Sequence, residues 1–211
     1  MPEIKIIHGD CMEYMATLPD KAFELAIVDP PYGIEALTGR ETNHGRGKLK
    51  HRAFNLGEVK FGQWDFPPTE EYFTELFRIS ENQIIWGGNY FNLPPTRGFT
   101  VWDKCQPWPN FSQVEFAWAS FDCPSKLFKF DNRISGKIHP TQKPVALYQW
   151  LLKNYAKQGD KILDTHLGSG SSAIAADIMG FDFVGIEIDE DYYKAALDRF
   201  NRHKQQLTLE L

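Results

Sequence analysis

The sequence has few cysteines and no long apolar run. Its three cysteines, Cys11, Cys105 and Cys123, are odd in number and far apart, which fits neither a disulfide framework nor a zinc site built from CxxC pairs. No stretch reaches the ~18 apolar residues that a membrane-spanning helix needs, and MPEIKIIHGD lacks the apolar segment of a signal peptide. We therefore predict reduced cysteines, no bound metal, and a soluble cytoplasmic protein without a membrane partner.

Positive charge is scarce over the whole chain, where 28 Asp and Glu outnumber 23 Lys and Arg for a net charge of −5. This balance excludes indiscriminate polyanion binding by the whole surface, but it allows local basic patches. Residues 40–52 and 126–143 each carry five Lys or Arg. Either patch alone is typical of a solvated loop, whereas two on an acidic chain favour a phosphate-backbone partner. The candidate contacts in the first patch are Arg46, Lys48, Lys50 and Arg52.

Strand-like and helix-like patterns alternate along the 211 residues, a length that suits a single domain over 1–211. Short runs rich in β-branched and aromatic residues predict strands at 4–9, 24–29, 83–88, 99–102, 114–120, 161–165 and 182–188. Helical periodicity and capping residues predict helices at 69–79, 144–156, 171–179 and 190–207. Such alternation predicts an α/β fold, with a mostly parallel sheet and helices on both faces. Residues 34–60 follow neither period and are interpreted as a mobile loop.

One predicted strand ends in the sequence DPPY. Proline donates no ladder hydrogen bond and restricts the residue before it, so Asp29 is expected at the carboxyl end of the strand rather than inside the sheet. Open α/β sheets bind their ligands at that end. Taken alone, Asp29 would be read as a carboxylate that caps a turn, but the adjacent Pro30, Pro31 and Tyr32 favour a functional site.

A second strand, at 161–165, leads into a glycine-containing turn. Gly168 and Gly170 allow positive φ and close approach to a ligand, and the helix beginning near Ser171 presents unpaired N–H groups. Glu187 follows Asp164 at close to the ~20-residue spacing at which an acid binds ribose hydroxyls in dinucleotide folds. The third glycine of that motif is missing, however, and Asp164 would repel a pyrophosphate. A cationic adenosine ligand such as S-adenosylmethionine is therefore favoured.

The order of four motifs resembles the amino-DNA methyltransferases, which modify an exocyclic nitrogen of adenine or cytosine. These motifs are DPPY at 29–32, HPTQKP at 139–144, DTHLGSG at 164–170 and GIEID at 185–189. The catalytic motif comes before the cofactor motif, as in the β class and in compact phage and prophage methylases. The resemblance implies a Rossmann-like S-adenosylmethionine-dependent methyltransferase fold in circularly permuted order, acting on double-stranded DNA, with a homodimer expected.

The resemblance also implies roles for individual residues. Asp29 and the Pro30 carbonyl would accept hydrogen bonds from the target amine, Pro31 would keep these acceptors rigid, and Tyr32 would stack on the base. The residues expected to bind the cofactor are Asp10, His139, Thr141, Lys143, Asp164, Gly168, Gly170, Ser171 and Glu187. The family usually has Phe where this chain has His166, which replaces an apolar contact with a polar one. Segments 34–60 and 104–137 are interpreted as DNA-recognition insertions.

We expect site-specific methylation of adenine N6, because Asp at the first position of DPPY favours adenine. The cytosine-N4 enzymes more often have Ser there, and they remain the first alternative. A cytosine-C5 enzyme needs a Pro-Cys nucleophile, whereas this chain has Cys123 and Pro124 in the reverse order. A catalytically idle module that binds S-adenosylmethionine or DNA, and methylation of RNA or of a protein amide, also stay open. A dehydrogenase is disfavoured because GxGxxG is absent.

Overall fold

The computed structural model describes residues 2–33, 66–107, 112–131, 133, 138–139 and 141–209. The predicted loop at 34–60 lies outside the described residues, and so do parts of 104–137. Arg46, Lys48, Lys50 and Arg52 belong to that loop, so their contact with DNA stays a prediction from the sequence.

Eight strands and five α-helices make up the described part of the chain. The strands are β1 Ile4–His8, β2 Phe23–Val28, β3 Ser80–Trp86, β4 Phe99–Asp103, β5 Val114–Ala119, β6 Lys126–Lys129, β7 Lys161–Asp164 and β8 Asp182–Glu187. The helices are α1 Cys11–Ala16, α2 Glu70–Ile79, α3 Val145–Tyr155, α4 Ser171–Met179 and α5 Glu190–Leu209, with a 3₁₀ turn at Gly88–Tyr90. All seven predicted strands and all four predicted helices are present, and β6 and α1 are additions.

The strands form one sheet in the order β1-β8-β7-β2-β3-β5-β4-β6. Only β5 runs antiparallel to its neighbours, β3 and β4, among the described strands. The C-terminal strands β7 and β8 lie between β1 and β2, as the permuted order of motifs requires. The predicted α/β fold with a mostly parallel sheet is confirmed.

Both faces of the sheet are covered by helices. Along β2, Leu25 and Ile27 belong to the core on the face with α3, α4 and α5, while Ala26 and Val28 belong to the core on the face with α1 and α2. Successive side chains of a strand point to opposite faces, so a strand between two helical layers is apolar throughout. This explains why residues 25–28 of β2 read as a continuous apolar run up to Asp29.

Local capping fixes the helix ends nearest the carboxyl edge of the sheet. The Asp10 carboxylate accepts a hydrogen bond from the Met12 N–H at 2.7 Å and so caps α1. Gly170, at φ +72°, precedes α4, a conformation that L side chains rarely adopt. None of the helices in the residues described here has the length and apolarity to cross a bilayer.

The double-layered core leads to a stability prediction that compares two leucines. Leu151 of α3 is fully buried, whereas Leu127 of β6 is 54% exposed. We expect Leu151→Ala to lower the free energy of unfolding by about 2–5 kcal/mol, because it removes buried methyl groups and leaves a cavity. Leu127→Ala should change it by about 0.5 kcal/mol. Urea unfolding of both variants checks this, and equal losses would contradict the placement of the core.

Candidate active site

A cavity of about 380 Å³ opens where β2, β7 and β8 end. Its walls come from Asp29 and Pro31 after β2, from the segment that leads into α2, from the HPTQKP segment, and from the turns after β7 and β8. The volume falls within the range of small-molecule binding sites, ~300–1,000 Å³. The cavity is therefore large enough for a nucleoside-sized ligand.

The parallel register of the sheet brings these walls together. Leu25 and Ala26 of β2 pair with Ile162 and Leu163 of β7, and β7 pairs in parallel with β8. Parallel strands end at the same edge of a sheet, which is where ligands bind in open α/β folds. The carboxylates that follow or end these strands are consequently gathered at one edge.

Two donors hold the carboxylate of Asp29. The Tyr32 hydroxyl donates to Oδ1 at 2.7 Å, and the Lys143 ammonium donates to Oδ2. The Asp29 side chain is 16% exposed and lines the cavity. Because one donor contacts each oxygen, the carboxylate is fixed in orientation while its remaining lone pairs can accept further hydrogen bonds.

Lys143 is a buried cation between two carboxylates. Its Nζ lies 3.1 Å from Oε2 of Glu115 as well as next to Asp29, and 5.1 Å from the centroid of the Trp86 ring. Burial lowers the pKa of Lys143, but Asp29 and Glu115 outweigh it and raise the pKa, so the amine stays charged. Lys104 approaches the other oxygen of Glu115 at 2.6 Å. Lys143 lines the cavity, but its charge is engaged by protein carboxylates.

The ring of Tyr32 is packed between backbone and aromatic groups. A Cβ on Gly87, which has φ +69°, would lie 2.2 Å from this ring. Tyr90 stacks on Tyr32 at 5.0 Å between centroids, with Phe91 edge-on at 6.2 Å. Burial raises the pKa of Tyr32 well above its usual value. The hydroxyl therefore stays protonated and donates to Asp29.

Asp164, at the end of β7, is buried behind the glycine turn. It accepts hydrogen bonds from the Ser172 hydroxyl at 2.6 Å and from the His166 N–H at 3.1 Å. Burial is the main cause that raises the pKa of Asp164 to about 7. These contacts hold the turn in its conformation, and Asp164 does not itself line the cavity.

Glu187 fixes the turn from the neighbouring strand. Its Oε2 accepts the Gly168 N–H at 2.8 Å, and its Oε1 accepts the Asp189 N–H at 3.0 Å. Gly168 has φ +52°, and a Cβ added to it would lie 3.8 Å from the ring of His139. Burial raises the pKa of Glu187. The carboxylate lines the cavity with a fixed orientation and lone pairs left to accept hydrogen bonds from a ligand.

Two neutral histidines complete the walls. Burial lowers the pKa of both His139 and His166 to about 4. The Nδ1 of His139 is 3.0 Å from the Thr141 hydroxyl, and the Nδ1 of His166 is 2.9 Å from the Thr165 hydroxyl, which in turn contacts the Tyr72 hydroxyl at 2.6 Å. Both rings are uncharged near pH 7, so they offer hydrogen bonds without positive charge.

The predicted site residues divide into a group in the cavity wall and a group behind it. The wall contains Asp29, Pro31, His139, Thr141, Lys143, Gly168 and Glu187. Asp10, Pro30, Tyr32, Asp164, Gly170 and Ser171 do not line the cavity. Of these, Tyr32 donates a hydrogen bond to Asp29 and Asp164 accepts one from the His166 N–H, and both Asp29 and His166 belong to the wall. The sequence therefore predicted residues that lie together at one edge of the sheet, and their individual roles stay predictions.

Sequence reasoning missed several aromatic residues of the wall, among them Tyr72 and Tyr192. Both lie on helices, where helical spacing indicates a core face as readily as a ligand contact. Gly87, which the Tyr32 ring requires, was also missed, since a single glycine after a strand is a weak signal. Tyr72 and Tyr192 could have been identified only by knowing which helices pack against the ends of the strands.

The cavity fits S-adenosylmethionine in its chemistry. The Glu187 carboxylate suits ribose hydroxyls, and the cation of the wall, Lys143, is matched by two carboxylates. A buried hydroxyl, that of Tyr192, has no hydrogen-bond partner in the described residues. A ligand with hydroxyl groups and positive charge would satisfy this set better than an anionic dinucleotide.

Comparisons with known proteins agree with the motifs and the fold. A family model for N6 and N4 methyltransferases, described as DNA methylase, matches residues 99–198. The chain is 23% identical over 253 residues to the type II methyltransferase M2.DpnII of Streptococcus pneumoniae, with 95% of this chain and 90% of that protein covered.

Solved structures show the same fold. The crystal structure of the M1.HpyAVI-SAM complex matches with a TM-score of 0.58 and 21% identity, covering 93% of this chain and 99% of the other. The cytosine-N4-specific PvuII DNA methyltransferase matches with a TM-score of 0.63 and 14% identity, covering 95% and 87%. The predicted methyltransferase fold is thus confirmed. Residues 99–198 therefore match the N6/N4 DNA methylase family model, and nearly the whole chain is similar in sequence and in fold to DNA methyltransferases.

Proposed function

We propose that this protein methylates N6 of an adenine that has been flipped out of double-stranded DNA. The observation that carries the proposal is the position of Asp29, whose oriented carboxylate lines the same cavity as Gly168 and Glu187. A catalytic acceptor and a nucleoside-binding carboxylate in one cavity are what transfer between a bound cofactor and a base requires.

The cofactor would be held by the turns after β7 and β8. Glu187 would accept hydrogen bonds from the ribose hydroxyls, and the backbone at Gly168 would approach the ligand closely. His139 and Thr141 would contact the methionine portion, in keeping with their place in the wall. Lys143 would act mainly on Asp29, because that is where its ammonium donates. S-adenosylmethionine supplies an electrophilic methyl group bonded to a positively charged sulfur.

Asp29 would make the target amine nucleophilic. The lone pair of an adenine amine is delocalised into the ring, so the nitrogen attacks poorly until it moves toward tetrahedral geometry. Hydrogen-bond acceptors at both N–H groups, the Asp29 carboxylate and the Pro30 carbonyl, favour that change. Positive charge develops on the nitrogen as the new bond forms, and a preoriented carboxylate stabilises it.

The surroundings of Asp29 keep this acceptor in place. Pro30 and Pro31 restrict the backbone, while Tyr32 and Lys143 fix the two carboxylate oxygens. A base must leave the duplex to reach such a site. The stacked rings of Tyr32 and Tyr90 lie beside it, and Tyr90 is 48% exposed. We expect the base to stack on this aromatic pair.

Cytosine N4 is the alternative target. It is favoured by the similarity in fold to the cytosine-N4-specific PvuII enzyme, and its amine has the same delocalised lone pair. Asp rather than Ser at position 29 favours adenine. Contact of Arg46, Lys48, Lys50 and Arg52 with DNA, the recognition role of 34–60 and 104–137, homodimerisation and a cytoplasmic location all remain predictions.

The role of Asp29 is tested by replacing it and one matched carboxylate. We expect Asp29→Ala to lower the rate of methyl transfer by about 10²–10³-fold, because it removes a charge aimed at the reacting nitrogen. Glu115→Ala removes the other carboxylate from Lys143 without changing the cavity wall, and it should retain transfer within about tenfold. Single-turnover transfer of tritiated methyl groups to DNA measures both, with cofactor binding by calorimetry showing that each variant keeps its cofactor site.

Equal losses in the two variants would contradict the acceptor role, since they would mean that the placement of Lys143, and not the Asp29 carboxylate, limits the reaction. Substantial turnover by Asp29→Ala would contradict it as well.

The identity of the target is tested by the product nucleoside. Unmethylated DNA is incubated with the protein and tritiated S-adenosylmethionine, then digested to nucleosides and separated. We expect label in N6-methyladenine. Label in N4-methylcytosine would overturn the adenine assignment, and absence of transfer by folded, cofactor-bound protein would support the idle module.

A further inference from the structure

Tyr192 is a cavity residue for which the family motifs discussed above assign no role. It is the third residue of α5, and its ring lines the cavity. Its hydroxyl is buried and has no hydrogen-bond partner among the residues that the structure describes. A buried polar group without a partner is unfavourable, so its position in a ligand cavity indicates that a bound molecule satisfies it.

The environment of Tyr192 combines two acids that follow or end β8 with the ring of His139. The carboxylates of Asp189 and Glu187 add to burial in raising the pKa of Tyr192, so its hydroxyl keeps its proton. The Tyr192 ring packs edge-on against His139, with 4.3 Å between centroids. These neighbours place Tyr192 beside the neutral ring of His139, in the part of the cavity where Glu187 and Asp189 act on it.

Helix α5 holds Tyr192 rigidly against the glycine turn. Ala196 lies one turn further along the helix, and a Cβ on Gly170 would be 3.3 Å from the Ala196 methyl group. Arg199, on the same face, donates from Nη1 to the Ser169 carbonyl and to the Ser171 hydroxyl, both at 2.8 Å. The same face of α5 therefore carries the residues that contact the glycine turn and the tyrosine whose hydroxyl has no hydrogen-bond partner among the described residues.

We propose that the Tyr192 hydroxyl binds the cofactor's ribose, donating a hydrogen bond to a sugar hydroxyl oxygen while Glu187 accepts from the sugar. A ribose has two adjacent hydroxyls, each both donor and acceptor. Glu187 can only accept when ionised, so a donor beside it completes the recognition of the diol. The proposal rests on the proposed function of this cavity and adds a residue to its cofactor site.

The test compares two adjacent tyrosines on α5. Tyr192→Phe removes only the hydroxyl, and Tyr193→Phe is the matched control, because Tyr193 stacks on His8 outside the cavity wall. Calorimetric titration with S-adenosylhomocysteine, without DNA, should show binding weakened about fivefold to tenfold by Tyr192→Phe and unchanged by Tyr193→Phe. The unfolding midpoint of the ligand-free Tyr192→Phe protein should be unchanged or higher, and its rise on adding ligand smaller than in the unsubstituted protein.

Deoxyribose analogues identify the contact itself. The unsubstituted protein should bind S-adenosylhomocysteine more tightly than its 2′-deoxy or its 3′-deoxy analogue, and Tyr192→Phe should reduce one of these two differences. Equal affinity of Tyr192→Phe and unsubstituted protein would overturn the assignment and indicate that water satisfies the hydroxyl. A drop in the ligand-free unfolding midpoint that matches the loss of affinity would overturn it in favour of a structural role. No binding by the unsubstituted protein would overturn the proposed cofactor site together with this assignment.

Discussion

The parallel alignment of β2, β7 and β8 is the constraint on which the site depends. It brings the end of β2, which leads into DPPY, beside the end of β7, although these two strands are separated by most of the chain. Asp29, Asp164 and Glu187 consequently meet at one edge of one sheet. Transfer between a bound cofactor and a base would require groups gathered at that edge, because reacting groups must lie within a few ångströms of each other.

Carboxylates gathered at one edge repel one another, and the structure reduces this repulsion in two ways. Asp164 is buried, and Asp29 and Glu187 add to the effect of burial that raises its pKa to about 7. Asp29 is instead paired with the buried ammonium of Lys143. Breaking a buried ion pair by removing one partner leaves an uncompensated charge. The lysine of HPTQKP therefore supplies the countercharge for Asp29 in the cavity wall.

Much of the fold could be predicted from local patterns. Apolar runs bounded by turn residues predicted seven of the eight described strands. The strand β6 was missed because its sequence, KLFK, is too short and too charged to show a period. The position of Asp29, Gly168 and Glu187 beside a ligand cavity could be predicted, because open α/β sheets bind ligands at the carboxyl ends of their strands. Contacts between distant segments could not. Lys143 reaches Asp29 across 114 positions, and nothing local in HPTQKP says which carboxylate its amine meets.

A crystal structure of this protein with S-adenosylhomocysteine bound would show directly whether Asp29 faces the position from which the methyl group is transferred. We expect the ribose at Glu187 and the sulfur turned toward the carboxylate of Asp29, with room for an amine and a methyl group between them. A ligand bound at another edge of the sheet, or one with its sulfur directed away from Asp29, would contradict the account.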